Sequence, residues 1–156
     1  MNIKNLFTAP SHSTPADAAL LVLRLVAGIA FLFHGWGKIQ SPFSWMGPDA
    51  AVPGVFQGLA ALSEFGGGLA WILGLLTPLA SFGLLCTMAV AVFLHAVILG
   101  DPFVSTGEGG AYEPAAVYFC VALLLMLGGP GRFSMDRLVF GDRGSASTSA
   151  SGGQRD

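Results

Sequence analysis

The chain has 156 residues, 53% of them apolar, and carries 7 basic and 9 acidic side chains, only 10% of its length, against roughly 25% in a soluble domain. Residues 65–100 contain no charge at all, about the length of two bilayer crossings joined by a tight turn, which excludes an ordinary soluble domain. A net charge of -2 provides no basic stripe, so nucleic-acid binding is excluded as well.

Residues 1–17 read as an N-terminal cytoplasmic segment. The first predicted span runs over 18–36; it holds Arg24 and lacks a small-x-small cleavage site, so it reads as a retained helix rather than a signal peptide. The second covers 55–76 and stops at Thr77-Pro78. The third covers 79–99 and stops at Asp101-Pro102. The fourth covers 115–127, its start drawn back to Glu113, and ends at Gly128-Gly129-Pro130-Gly131. Pro78 and Pro114 suit first-turn positions, and Thr77 suits an N-cap. Residues 133–140 are predicted as a short interfacial helix capped by Ser134, with Phe133, Leu138, Val139 and Phe140 toward lipid. Residues 141–156 form a Gly/Ser-rich tail expected to be disordered. Alternating ten-residue strands of a membrane barrel are absent. The expected architecture is therefore all-α, a four-transmembrane-helix bundle over 18–140, with 22 glycines suiting close helix approach.

Orientation follows from Lys and Arg. Lys4 precedes the first span, no basic residue lies between the third and fourth, and Arg132, Arg137 and Arg143 follow the fourth. Both termini are predicted cytoplasmic. Lys38 counts against this pattern, and the acidic loop residues Asp101 and Glu108 do not contradict it.

Charges inside spans cost at least ~2.5–3.5 kcal/mol each and mark either packing staples or function. Arg24 and Glu64 are the deepest. Placing Lys38 and Gly54 at one level, and counting about 1.5 Å per residue, brings Arg24 and Glu64 to within about 5 Å in depth, which predicts an ion pair between the first two helices. Its purely structural reading is a staple; its functional reading makes Glu64 a proton or ligand group held by Arg24. Ala60, Ala61, Gly67 and Gly68 share the Glu64 face and would admit the first helix.

A second group falls near the Lys38 end. Arg24, His34 and Lys38 share one helical face, and His95 and Glu113 lie at the matching ends of the third and fourth spans. His34, Lys38, His95 and Glu113 are expected to line a polar pocket. Against this stand helix-terminus stabilisation of Glu113, snorkelling of Lys38 and interhelical hydrogen bonds for the histidines. No ligand pair sits at i, i+3 or i+4, so no metal site is expected. Cys86 and Cys120 read as small buried hydrophobes rather than a dithiol switch, lacking C-x-x-C spacing and a nearby cation.

The residues resemble one known family. Leu-Arg-Leu-Val-Ala-Gly at 23–28, His-Gly-Trp-Gly-Lys at 34–38, Glu64 followed by Gly-Gly-Gly-Leu-Ala-Trp-Ile-Leu-Gly-Leu-Leu-Thr-Pro-Leu-Ala at 66–80, and Gly-Gly-Pro-Gly-Arg-Phe-Ser-Met-Asp at 128–136 together resemble the DoxX family of small four-helix membrane proteins. The resemblance implies a bacterial cytoplasmic membrane protein supporting quinone-linked or electron-transfer chemistry or oxidative-stress and quinone detoxification, at most as a subunit of a membrane oxidoreductase with a redox partner. It makes Glu64 and His34 the candidate catalytic residues and Arg24, Lys38, His95, Glu113 and Trp36 the candidate ligand contacts. Gly67, Gly68, Gly131, Arg132 and Asp136 are assigned structural roles. A quinone head would stack on Trp36, Trp45 or Trp71, take a hydrogen bond from His34 or Lys38, and find Glu64 available for its proton. No covalent cofactor motif is visible. A proton-coupled carrier and a non-catalytic anchor for a soluble redox partner are the alternatives, and the oligomeric state is left open.

Overall fold

In the computed structural model, residues 12–50, 52–107 and 109–141 are described. The expectations placed on Lys4, Glu108, Arg143 and most of the two terminal segments lie outside them. Among the described residues every regular element is helical: α1 (Thr14–Gln40), α2 (Gly54–Leu73), α3 (Thr77–Phe93), which runs on as a π-helical turn (Leu94–Leu99), α4 (Glu113–Gly128) and the short α5 (Met135–Phe140). α1 packs along α2, α2 along α3 and α3 along α4. α1 and α4 meet through side chains, with the Phe31 and Tyr118 rings 4.8 Å apart.

The four predicted spans each have a helix, with shifted ends. α1 is longer than expected at both ends because Pro15 lies in its first turn and Asp17 answers the positive helix terminus; the predicted boundary after residue 17 therefore falls inside a helix. At the other end the helix carries Lys38 within its last turn. α2 stops at Gly74, which has φ +64°, a left-handed conformation open to glycine at little cost. Pro78 and Pro114 sit in first turns as expected. Thr77 is not the N-cap of α3. That place is taken by Leu76, and the backbone N–H groups of Leu76 and Thr77 donate to the Asp136 carboxylate at 2.6 and 2.8 Å. A carboxylate from α5 thus caps α3 from outside, in the field that favours negative charge.

The distribution of polarity is inverted relative to a water-soluble bundle. Asp17, Arg24, Gln57, Glu64, Thr77, Ser81 and Asp136 are buried, while Phe33 is 79% exposed and Val26, Leu62 and Leu127 also face outward. Apolar exposure on this scale marks a surface solvated by something other than water. α1 and the continuous Thr77–Leu99 helix are long and apolar enough to cross a bilayer, and α4 is a shorter apolar helix. The core between them is small: Ala27, Phe31, Trp71, Leu84, Met88, Ala122 and Leu125. Trp71 anchors it, its indole N–H donating to Ser81 Oγ at 2.9 Å and its ring edge-on to Phe31 at 5.5 Å.

Glycines set the α1–α2 distance. A Cβ on Gly35 would fall 2.5 Å from the Phe65 backbone nitrogen, and one on Gly68 would fall 2.8 Å from the Gly28 carbonyl oxygen. Gly67 faces the other way, against Leu84 of α3. The two adjacent glycines therefore serve two interfaces rather than the single α1-facing stripe expected.

Candidate functional site

The close approach at Gly35 and Phe65 determines which charges meet. Gly28 lies level with Gly68 and Gly35 with Phe65, so α2 starts farther beyond the end of α1 than equal levels for Lys38 and Gly54 assume. Glu64 consequently lies near the Lys38 end. Lys38 Nζ donates to Glu64 Oε1 at 2.6 Å, with the lysine side chain 25% exposed and the glutamate 3%. The predicted Arg24–Glu64 pair does not form. The ammonium also sits 4.5 Å from the centre of the Trp45 ring, within cation–π range. Trp45 is held in turn, its indole N–H donating to Gln57 O at 3.0 Å. Gln57 ties the intervening loop to α2, accepting from Met46 N and donating to Val52 O.

Two cavities meet at this pair. The larger, about 490 Å³, opens between α2 and α3 under the 41–53 loop, and Lys38, Trp45, Ser63, Glu64 and Cys86 line it among mostly apolar neighbours such as Phe56, Phe82 and Val90. The smaller, about 190 Å³, is lined by Phe31, His34, Lys38, Glu64, His95 and Tyr118. Glu64 Oε2 is buried without a hydrogen-bond partner; Thr77 Oγ1, at the other end of the bundle, is the second such atom among the described residues. A buried acceptor left unpaired costs about 1–3 kcal/mol, so a carboxylate oxygen at the junction of two cavities is set to receive a donor.

The structure brings His34, Lys38, His95 and Glu64 around the smaller cavity. His34 packs edge-on against Phe31 and Tyr118, both at 6.3 Å. His95 belongs to the π-helical turn; past its cap at Gly100 the Asp101 N–H donates to the His95 carbonyl at 2.8 Å, and His95 Nδ1 meets Asp101 Oδ2 at 2.6 Å. π-helical turns recur at functional sites. Glu113 opens α4 but does not line either cavity, consistent with a helix-terminus role. Trp36 is also outside them: it is 59% exposed and packs on Phe65 at 5.9 Å. Cys86 and Cys120 are exposed rather than buried. Among the described residues, no three His, Cys, Asp or Glu side chains gather where a metal ion would be held.

Arg24 marks the opposite end of the bundle. Its guanidinium donates to Trp71 O at 2.8 Å, to Phe133 O at 3.1 Å, to Ile72 O at 3.4 Å, and to Pro130 O. These carbonyls lie at the end of α2 and in the segment after α4, Trp71 O also accepting from the Gly74 N–H, and a cation there answers the negative helix terminus as well. The fork of five donors suits four acceptors where lysine's point charge does not. Around it Asp17 Oδ1 accepts from Arg132 N at 2.9 Å, Ser134 Oγ donates to Gly131 O at 2.7 Å and accepts from Arg137 N, and Asp136 caps α3. Gly131, Arg132 through its backbone N–H, and Asp136 thus lie in one network with Arg24, which lines neither cavity.

A protein-family model matches residues 19–96, and its description is DoxX. The chain belongs to the DoxX family. The DoxX match spans α1, α2 and α3, and so takes in Arg24, Lys38 and Glu64. Among curated relatives, an uncharacterised protein of Haemophilus influenzae is 34% identical over 123 residues, covering 78% of this chain and 90% of its own length. An inner membrane protein of Escherichia coli, YqjF, is 35% identical over 130 residues, covering 79% of this chain and 93% of its own. No solved structure matches. Within this DoxX chain, sequence reasoning passed over Gln57, Tyr118 and Asp17. Gln57 gave a signal: a lone amide in an apolar segment is expensive unless satisfied.

Proposed function

We propose that this DoxX protein is a four-span inner-membrane protein with both termini cytoplasmic, which binds the head group of a membrane quinone between Lys38, Trp45 and Glu64. In that role it serves a quinone-linked oxidoreductase or detoxification process together with a redox partner subunit. The observation that carries the reading is the Lys38–Glu64 pair shared by both cavities, with Glu64 Oε2 buried and open to a donor. The larger cavity is within the 300–1,000 Å³ usual for small-molecule sites and has the expected mix of apolar wall and few polar groups.

A bound quinone supplies two-electron, two-proton chemistry. The chain's own residues bind and orient it: Lys38 offers N–H donors to a ring oxygen, Trp45 gives a flat face, and the Glu64 carboxylate accepts at Oε2 from a ring hydroxyl, whose proton it can take on oxidation. The smaller cavity gives Glu64 a more polar side, through His34, His95 and Tyr118, toward the loop that carries Asp101. The same position of Glu64 between two cavities supports a second reading, a proton-coupled small-molecule carrier.

Extraction and chromatography of protein purified in mild detergent tests the site. Bound quinone, or a rise in melting temperature with added short-tail quinone that Glu64→Gln removes, is expected. Absence of both, with proton-dependent uptake in proteoliposomes, would favour the carrier.

A further inference from the structure

Resting on the quinone reading, we infer that Glu64 selects the hydroxylated, reduced form of the ligand over its carbonyl form. Glu64 is 2% exposed, its Oε1 is occupied by Lys38 at 2.6 Å, and its Oε2 has no partner. A carboxylate paired with an ammonium is an acceptor only, so whatever occupies the cavity beside it must present a donor or leave that oxygen unpaired.

None of the donors that line the cavity, Lys38 and Ser63 included, is bonded to Oε2. The Trp45 indole N–H goes to Gln57 O, the Gln57 amide to Val52 O and the Thr87 hydroxyl to Gly83 O at 3.0 Å. An aromatic head that enters the site either presents an O–H to Oε2 or leaves that buried acceptor unpaired. Lys38 serves either form, because its remaining N–H groups donate equally to a carbonyl or a hydroxyl oxygen. The difference between the forms therefore falls on the single bond at Oε2. The ligand class is a lipophilic hydroxyarene, with its hydroxyl on Glu64 and its apolar substituents along Phe56, Phe82 and Val90.

Leaving a buried acceptor unpaired translates into about a tenfold or larger preference for the reduced form. Tighter binding of the reduced member raises the midpoint potential of the bound couple, by about 30 mV for each tenfold when two electrons are transferred. The site then holds reduced quinone and resists giving up its electrons.

Affinities of a short-tail quinone, its quinol and the quinol dimethyl ether, read anaerobically by quenching of tryptophan fluorescence in nanodiscs, test this. The quinol is expected to bind at least tenfold tighter than the quinone, and the ether, which keeps the oxygens and lacks the donors, to fall back to the quinone's level. Glu64→Gln, whose amide donates to a carbonyl, should abolish or reverse the ratio. If Glu64→Gln does not fold, the ether comparison in the native protein decides. Equal affinities, or a tighter quinone, overturn the selection while leaving the quinone site standing. An ether as tight as the quinol, or an unchanged ratio in Glu64→Gln, overturns the role of Oε2. Binding of none of the three overturns both the selection and the quinone reading.

Discussion

Replacing Lys38 with methionine should cost far more stability than replacing Glu64 with glutamine, although both break the same ion pair. Glu64 has a side chain only 3% exposed, and without Lys38 its charge is stranded beside apolar walls. Removing one partner of a buried pair costs ~3–5 kcal/mol. Because Lys38 is 25% exposed, the lower end applies, about 3 kcal/mol. Glu64→Gln instead leaves the lysine, whose four-carbon stem lets the ammonium reach the interface, so a loss of about 1 kcal/mol is expected. With both replaced no charge is stranded, and the double variant should resemble Glu64→Gln alone. The coupling energy is then about 3 kcal/mol, measured by denaturant unfolding in detergent micelles with tryptophan fluorescence as the probe. Arg24→Met combined with Glu64→Gln is the control. The partners of Arg24 at Trp71 and Ile72 lie seven and eight residues along α2 from Glu64, about 10–12 Å, so those losses should add to within about 0.5 kcal/mol. Additive losses for Lys38 and Glu64, or strong coupling between Arg24 and Glu64, would refute the placement of charge described above.

Other expectations follow from the same geometry. Gly35→Ala should lose several kcal/mol, about as much as the larger overpacking substitutions, because its Cβ would meet Phe65 backbone rather than a flexible side chain; the same unfolding assay checks this. Asp136→Asn should cost about 1.5–3 kcal/mol, since one of two charge-assisted bonds to α3 is lost, while ligand affinity measured on folded protein stays unchanged. Trp36→Ala should leave ligand binding within about twofold by fluorescence titration, and Trp45→Ala should weaken it about fivefold or more, as expected for loss of a stacking and cation–π partner worth ~1 kcal/mol.

The helices were legible because lipid imposes a strong compositional signal: long uncharged runs cut by Thr77-Pro78, Asp101-Pro102 and Gly-Gly-Pro-Gly give the bundle its segments. The ends were less legible. Lys38 reads from the sequence either as first loop or as helix end; it lies in the last turn of α1, with its ammonium held by Glu64 and Trp45. Residue counting from presumed helix ends misjudged the stagger of α1 and α2, which is set by Gly28, Gly35 and Gly68. A shift of a turn or two was enough to exchange the partner of Glu64. Glu64, Lys38, His34 and His95 were identifiable as polar residues in apolar surroundings. The role of Arg24 was not, since its partners are backbone carbonyls more than 40 residues away, and backbone carbonyls have no sequence signature. Asp136 as the cap of α3 is hidden for the same reason, being 59 residues from Thr77.

The most direct test of the site is photolabelling with an azido-quinone in native membranes, followed by peptide mapping. Adducts are expected in the walls of the larger cavity, on residues 45–64 and 82–94, with labelling competed by unmodified quinone and lost in Glu64→Gln. Adducts concentrated instead around Arg24 and residues 128–137, or labelling indifferent to competitor and to Glu64→Gln, would contradict a ligand site built on Lys38 and Glu64.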